Sequence, residues 1–128
     1  MPVTLRYSDQ DPMGHVNNVA VTALLESGRM GFLSHLFRDV ALPPRGMVLA
    51  HLDVDFLHEI VLPEPVEVGG RLARVGRRSL TTQYAVFQGE QCCVTSESVN
   101  VFFDPDTRRS TEPAARIAAV LEKLSRGL

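Results

Sequence analysis

One long amphipathic stretch followed by a series of period-two runs constrains this chain most. From about Asn18 to Phe37 the pattern is helical, with Leu25, Phe32, Leu33 and Leu36 along one stripe. After it, Val48, Ala50, Leu52, Val54 and Phe56 alternate with more polar positions. Val66 to Val75 is a second run, loosened by Gly69-Gly70. Leu80, Thr82, Tyr84 and Val86 alternate again, and Cys92 to Phe103 forms the last long run. Pro63 and Pro65, then Gly76-Arg77-Arg78-Ser79, then Gly89-Glu90 punctuate them. A short strand, Val3 to Tyr7, precedes the helix, and Pro43-Pro44 lies beyond its end. Near the C-terminus, Thr111 is placed to cap a helix carrying Ile117, Val120, Leu121 and Leu124 on one face.

The order is strand, long helix, four long strands in meander-like succession, terminal helix. It predicts an α+β fold with a five-stranded antiparallel sheet. A single helix keeps one sheet face dry only if the sheet curls around it. Ala20, Ala23, Ser27, Gly28 and Gly31 suit close approach of that sheet to the helix. So small a core, with a sheet edge left over, predicts a homodimer or a dimer of dimers.

Composition narrows the function. The 128 residues make one domain, 1–128, with no internal repeat and no linker. Thirteen basic against fifteen acidic residues leave a net charge of −2, which argues against a nucleic-acid binder. No apolar run reaches a membrane span, about 18–20 residues, and no signal-peptide pattern opens the chain. Cys92 and Cys93 are adjacent, a poor disulfide pair and a poor zinc pair. They read as small core residues in a reducing compartment, hence a cytoplasmic protein. The basic residues are twelve Arg and one Lys, which fits either phosphate recognition or a bias in coding composition.

The segment just ahead of the long helix carries the chemistry: Arg6-Tyr7-Ser8-Asp9-Gln10-Asp11-Pro12-Met13-Gly14-His15-Val16-Asn17-Asn18. A helix N-terminus offers unpaired N–H groups and partial positive charge, suited to a developing oxyanion. A carboxylate beside it can activate water or attack directly. Asn17 or Asn18 can serve as N-cap. By spacing alone, Asp-Pro and Met-Gly are also simply turn formers.

Asp11-Pro12-Met13-Gly14-His15-Val16-Asn17-Asn18 resembles the signature of the hotdog-fold thioesterases, in the 4-hydroxybenzoyl-CoA thioesterase-like branch. Val75-Gly76-Arg77-Arg78-Ser79-Leu80-Thr81 looks like that family's Gly-Arg-x-Ser turn, and the resemblance covers almost the whole chain. It implies a sheet wrapped around a central helix, and hydrolysis of acyl-CoA or acyl-carrier-protein thioesters without metal or cofactor. It implies dimers or dimers of dimers with active sites at the subunit interface. Asp11 takes the role of nucleophile or general base. A backbone N–H near the helix start, by Gly14, polarises the thioester carbonyl, with Asn17 or Asn18 nearby. His15 matches the His of the Gly-His-Val-Asn-Asn form and stands as the second catalytic candidate, the alternative being a structural His that hydrogen-bonds the loop. Plant acyl-carrier-protein thioesterases have Asn where this chain has Met13, so their acid–His–Asn arrangement does not carry over whole.

Other candidates weigh less. Asp9 has the chemistry of Asp11 but fits the motif less well. Glu26 stands where an intrahelical pair with Arg29 is expected. His51, Asp53 and Asp55 share one face of a strand, which reads as a solvated or interface face rather than a metal site. Arg74, Arg77, Arg78 and Ser79 surround one turn and match the phosphates at the nucleotide end of coenzyme A. Leu33, Phe37, Met47 and Phe56 suit an aliphatic tunnel or plain core packing. The expected partner is acyl-CoA, not nucleic acid or membrane. The alternatives are an acyl-carrier-protein thioesterase and a non-catalytic acyl-CoA-binding protein on the same fold. Hydratases of this fold carry Asp-x-Asn-Pro-x-His, which is absent here.

Overall fold

The computed structural model describes residues 2–3, 16–40, 46–61 and 64–128. Its elements are β1 (Pro2–Val3), α1 (Asn18–Leu36), β2 (Met47–Phe56), β3 (Val66–Val75), β4 (Ser79–Gln88), β5 (Gln91–Asp104), β6 (Arg109–Ser110) and α2 (Ala115–Ser125). The expected β1 residues beyond Val3, the loop to His15, Pro43-Pro44 and Pro63 lie outside the described residues.

All strand pairs are antiparallel, in the order β1-β3-β4-β5-β2, with β6 added on β5. The sheet is therefore not a plain meander. β3, β4 and β5 follow one another, but β2 pairs with β5 and not with its successor β3. A tight hairpin is what would pair β2 with β3. The chain from Leu57 to Pro65 is too long and proline-bearing for one, so it carries β3 to the far side of the sheet.

The helix lies over β3 and β4. Gly28 explains how closely: a Cβ there would sit 2.5 Å from Val68 Cγ1 of β3. Of the other small residues Ala20 is buried, whereas Ala23, Ser27 and Gly31 face solvent. Alternation in the strands sends Val68, Tyr84, Val86 and Val94 inward against Val21, Leu24 and Leu25. A second cluster unites Leu33 and Phe37 with Leu80 and Phe102, closed by Ile117 and Leu121 of α2. Leu33 and Phe37 are thus core, with Met47 packed against their cluster.

α2 starts later than Thr111. Its N-cap is Ala114, without a side-chain bond. Pro113 disfavours helical backbone at Glu112 and so delays the start. Thr111 instead ties the chain back to β5, its N–H donating to Phe102 O at 2.9 Å.

A polar belt separates the two clusters. Arg29 Nη1 donates to Asn100 Oδ1 at 2.9 Å, Asn100 Nδ2 to Thr82 Oγ1 at 3.1 Å, and Tyr84 OH to the same Thr82 Oγ1 at 2.8 Å. Asn100 and Thr82 are fully buried. Glu26 holds the outer side of the Arg29 guanidinium, with contacts of 3.0 and 2.6 Å. That bond lowers the Glu26 carboxyl below its ordinary range. The intrahelical pair was legible in sequence; its continuation into the core was not. The signal was there in Thr82 and Asn100, polar residues at inward positions of alternating runs.

Candidate active site

Asn17 shapes the start of α1. Its Oδ1 accepts the N–H of Ala20 at 2.8 Å, and its carbonyl accepts that of Val21 at 3.0 Å. The cap leaves the N–H groups of Asn18 and Val19, at the first two helical positions, without acceptors on the helix itself. No acidic residue occupies the first turn, so nothing there competes for an anion. Val16, just before, is pinned by its N–H to Ile60 O at 2.8 Å. This joins the end of the Asp11–His15 segment to the chain after β2.

A cavity of about 240 Å³ opens at this junction. Val16, Asn18 and Val21 at the start of α1 line it, with Phe56 at the end of β2, then Leu57, His58, Glu59 and Ile60, and Val94 of β5. It joins apolar side chains (Val21, Phe56, Leu57, Ile60, Val94) and the polar Asn18, His58 and Glu59 at a helix N-terminus, where N–H donors can face a carbonyl. Asn18 borders the cavity, while Asn17 spends its Oδ1 on the cap. Of the four tunnel candidates only Phe56 is part of this lining; His58 and Glu59, which no sequence motif singled out, join it. Asp11, Gly14 and His15 lie outside the described residues.

The arginine turn is elsewhere. Arg74, Arg77 and Arg78 are exposed around the β3–β4 connection. Gly76 N–H donates to Ser79 O at 2.8 Å, and Phe102 N–H to Arg78 O at 2.8 Å, so the turn is well fixed. Arg77 is engaged by Glu112, which accepts from its Nη2 at 2.8 Å and its Nε at 3.2 Å. Ser79 pairs in register with Val101, whereas Val86 pairs with Val94 at the cavity. Seven residues of strand separate the two levels, roughly 23 Å at about 3.3 Å per residue. Within one chain, the turn and the α1 N-terminus stand at opposite ends of the sheet.

His51 and Asp53 pair at 3.7 Å in the open. Among the described residues no group of three or more His, Cys, Asp or Glu is placed to hold a metal ion. Cys93 is buried, which pushes its thiol up, and Cys92 is half-buried; both are free thiols.

Comparison with known proteins decides the family. Residues 5–124 match the thioesterase-like superfamily. The chain belongs to that superfamily. With the sheet wrapped around α1, this thioesterase-family chain has the hotdog fold and is a thioester hydrolase. A predicted thioesterase from Bacillus stearothermophilus is 28% identical, with TM-score 0.85 over 97% of this chain and 93% of that one. A thioesterase from Thermus thermophilus, solved with coenzyme A and zinc, is 27% identical, with TM-score 0.82 over 97% and 92%. The uncharacterized protein YsmA of Bacillus subtilis (strain 168) is 28% identical over 92 residues, which are 70% of this chain and 63% of that protein.

Proposed function

We propose that this thioesterase hydrolyses acyl-CoA to the free acid and coenzyme A. The acyl carbonyl would lie at the α1 N-terminus and Asp11 would act as general base or nucleophile. The observation that carries the reading is the cavity of mixed polar and apolar lining, with Glu59 and His58 in its wall, meeting the capped start of α1, whose first turn holds no acidic residue. The Thermus thermophilus relative that binds coenzyme A supports the carrier. As the carbonyl is attacked, negative charge grows on its oxygen, and helix N–H groups stabilise it. Asp11, on the segment that ends at Val16, would deliver water or attack, with His15 as the second catalytic group. The protein would work in a reducing compartment, the cytoplasm, where its cysteines stay thiols.

The free edge of the sheet supports a two-fold assembly. Among the described residues β2 has β5 on one side and no strand on the other. Exposed apolar side chains gather along it: Val48 and Leu49 at one end, Phe56 and Leu57 at the other. An unpaired, apolar strand edge calls for a partner. Two copies joined antiparallel along β2 form a two-fold dimer, and the two-fold reverses strand direction. The partner's Arg77–Ser79 turn then comes to the same end as the α1 cavity. The nucleotide end of coenzyme A would meet Arg74, Arg77, Arg78 and Ser79 of the partner subunit, which puts each site between subunits.

Asp11→Asn keeps the shape and removes the charge. It should lower kcat on acyl-CoA by roughly 10²–10⁴ while the protein stays folded. Near-wild-type turnover in the folded variant would refute the mechanism. An acyl-CoA chain-length series, run beside acyl-carrier-protein thioesters, separates the two carriers.

A further inference from the structure

One wall of the cavity at the start of α1 is a connection rather than a strand or helix. Leu57, His58, Glu59 and Ile60 form it, between the end of β2 and the start of β3. A connection has no ladder of its own, so its main-chain groups take partners from elsewhere. The β4–β5 hairpin supplies them. The Cys93 carbonyl accepts the N–H of Leu57 at 2.8 Å and that of His58 at 3.1 Å. Gln88, the last residue of β4, holds the other end with its side chain. Its Oε1 accepts the Val61 N–H at 3.2 Å, and its Nε2 donates to Val61 O at 2.7 Å and to Glu64 O at 2.9 Å.

An amide side chain suits this task. It carries an acceptor beside two donors, so it pairs with both main-chain groups of Val61 as a neighbouring strand would. Gln88 stands opposite Gln91 across the two-residue turn Gly89-Glu90. Gly89 takes φ +63°, a left-handed backbone that glycine adopts without strain, and the tight turn fixes where the amide stands. The restraint passes along the chain. Ile60, next to Val61, lines the cavity, and its carbonyl accepts the Val16 N–H at 2.8 Å. Val16 directly follows Asp11–His15 and directly precedes the Asn17 cap. One side chain at a hairpin tip thus anchors the strip that joins the cavity wall to the root of α1.

We infer that Gln88 is a positioning residue for the hydrolysis proposed above. Its amide holds the Leu57–Ile60 wall and, through Ile60 and Val16, the N-terminus of α1 in register with the acyl carbonyl. Gln88 is not part of the cavity lining, so it acts through geometry alone. A misplacement of about 1 Å far from the chemistry can cost about a hundredfold in rate, and a partial loosening costs less. The kinetic part rests on the hydrolase reading; the structural part does not.

Two measurements on the full chain test this. The first is steady-state kinetics of the wild type, Gln88→Met and Gln88→Glu on the acyl-CoA that the wild type turns over fastest, with a thermal melt to confirm folding. Met has the length of Gln without its amide. Glu keeps the shape but turns a carboxylate toward two carbonyl oxygens. Both should lose about tenfold in kcat with KM within about threefold of wild type. The second, without substrate, is amide hydrogen exchange followed by NMR. The N–H groups of Val61 and Val16 should exchange about tenfold faster in Gln88→Met, while those of Thr82 and Ser98, paired in mid-sheet, keep their rates. If Gln88→Met does not fold, Gln88→Asn, one methylene short, is read in the same way. Wild-type kcat in the folded variants, a rise in KM alone, or an unchanged Val16 exchange rate overturns the inference. A wild type that cleaves no acyl-CoA fails the hydrolase reading instead, and the exchange rates then judge the clamp by themselves.

Discussion

Gly28 lets α1 sit close against β3. In an exposed helix, Ala in place of Gly would gain about 1 kcal/mol. Here the new Cβ would lie 2.5 Å from Val68 Cγ1, and Val68 is buried and stiff at χ1. The clash should win. Gly28→Ala is expected to destabilise by about 1–2 kcal/mol net, read as a lower urea midpoint. Adding Val68→Ala should recover part of that loss, and strictly additive effects would show that the two do not meet. Arg29 makes a related point. Its guanidinium bridges an exposed carboxylate and the buried Asn100 amide, so the charge stays partly solvated while the belt beneath it is fully satisfied.

At the scale of elements, α1 does two jobs, covering the sheet and presenting its N-terminus to the cavity. Asn17 serves both. Asn17→Ala removes the bond to the Ala20 N–H and should cost about 1 kcal/mol. Fraying of the first turn also displaces Asn18 and Val21 from the cavity wall, so kcat should fall along with the melting temperature. Asn17→Asp keeps the acceptor and should keep the stability. It also brings a negative charge to the oxyanion end, so its kcat should still drop. Equal kcat in the wild type and Asn17→Asp would mean that the carbonyl lies elsewhere.

For the whole molecule, the separation of roughly 23 Å between turn and cavity becomes a complementation test. In Arg77→Ala/Arg78→Ala, KM for acyl-CoA should rise with kcat nearly unchanged, the mark of lost uniform binding. Arg77 also gives up its bond to Glu112, an exposed pair of small energetic weight. Chains carrying Asp11→Asn are then mixed and re-formed with chains carrying the two alanines. Each mixed dimer holds one site with Asp11 from one chain and both arginines from the other. Turnover with wild-type KM should reappear on mixing. If the arginines served their own chain's cavity, no intact site would form and none would return.

The α1 boundaries, β2 to β5, and the apolar stripe of α2 were all legible in the residues, because period and turn chemistry are local. So was the hotdog-type covering of one sheet face, since Leu25 and Leu33 leave a single helix to seal it. The Asn17 cap was legible for the same reason, one side chain and a backbone three residues on. Long-range choices were not. That β2 pairs with β5 depends on where a long connection lands, and alternation in β2 is the same whichever neighbour it takes. Arg29 finding Asn100, Arg77 finding Glu112, and the arginine turn standing a sheet's length from the cavity all join residues far apart in the chain. Residue type told what chemistry each group could do. Strand order and register, set by burial of the whole sheet against α1, settled which of those groups share a neighbourhood.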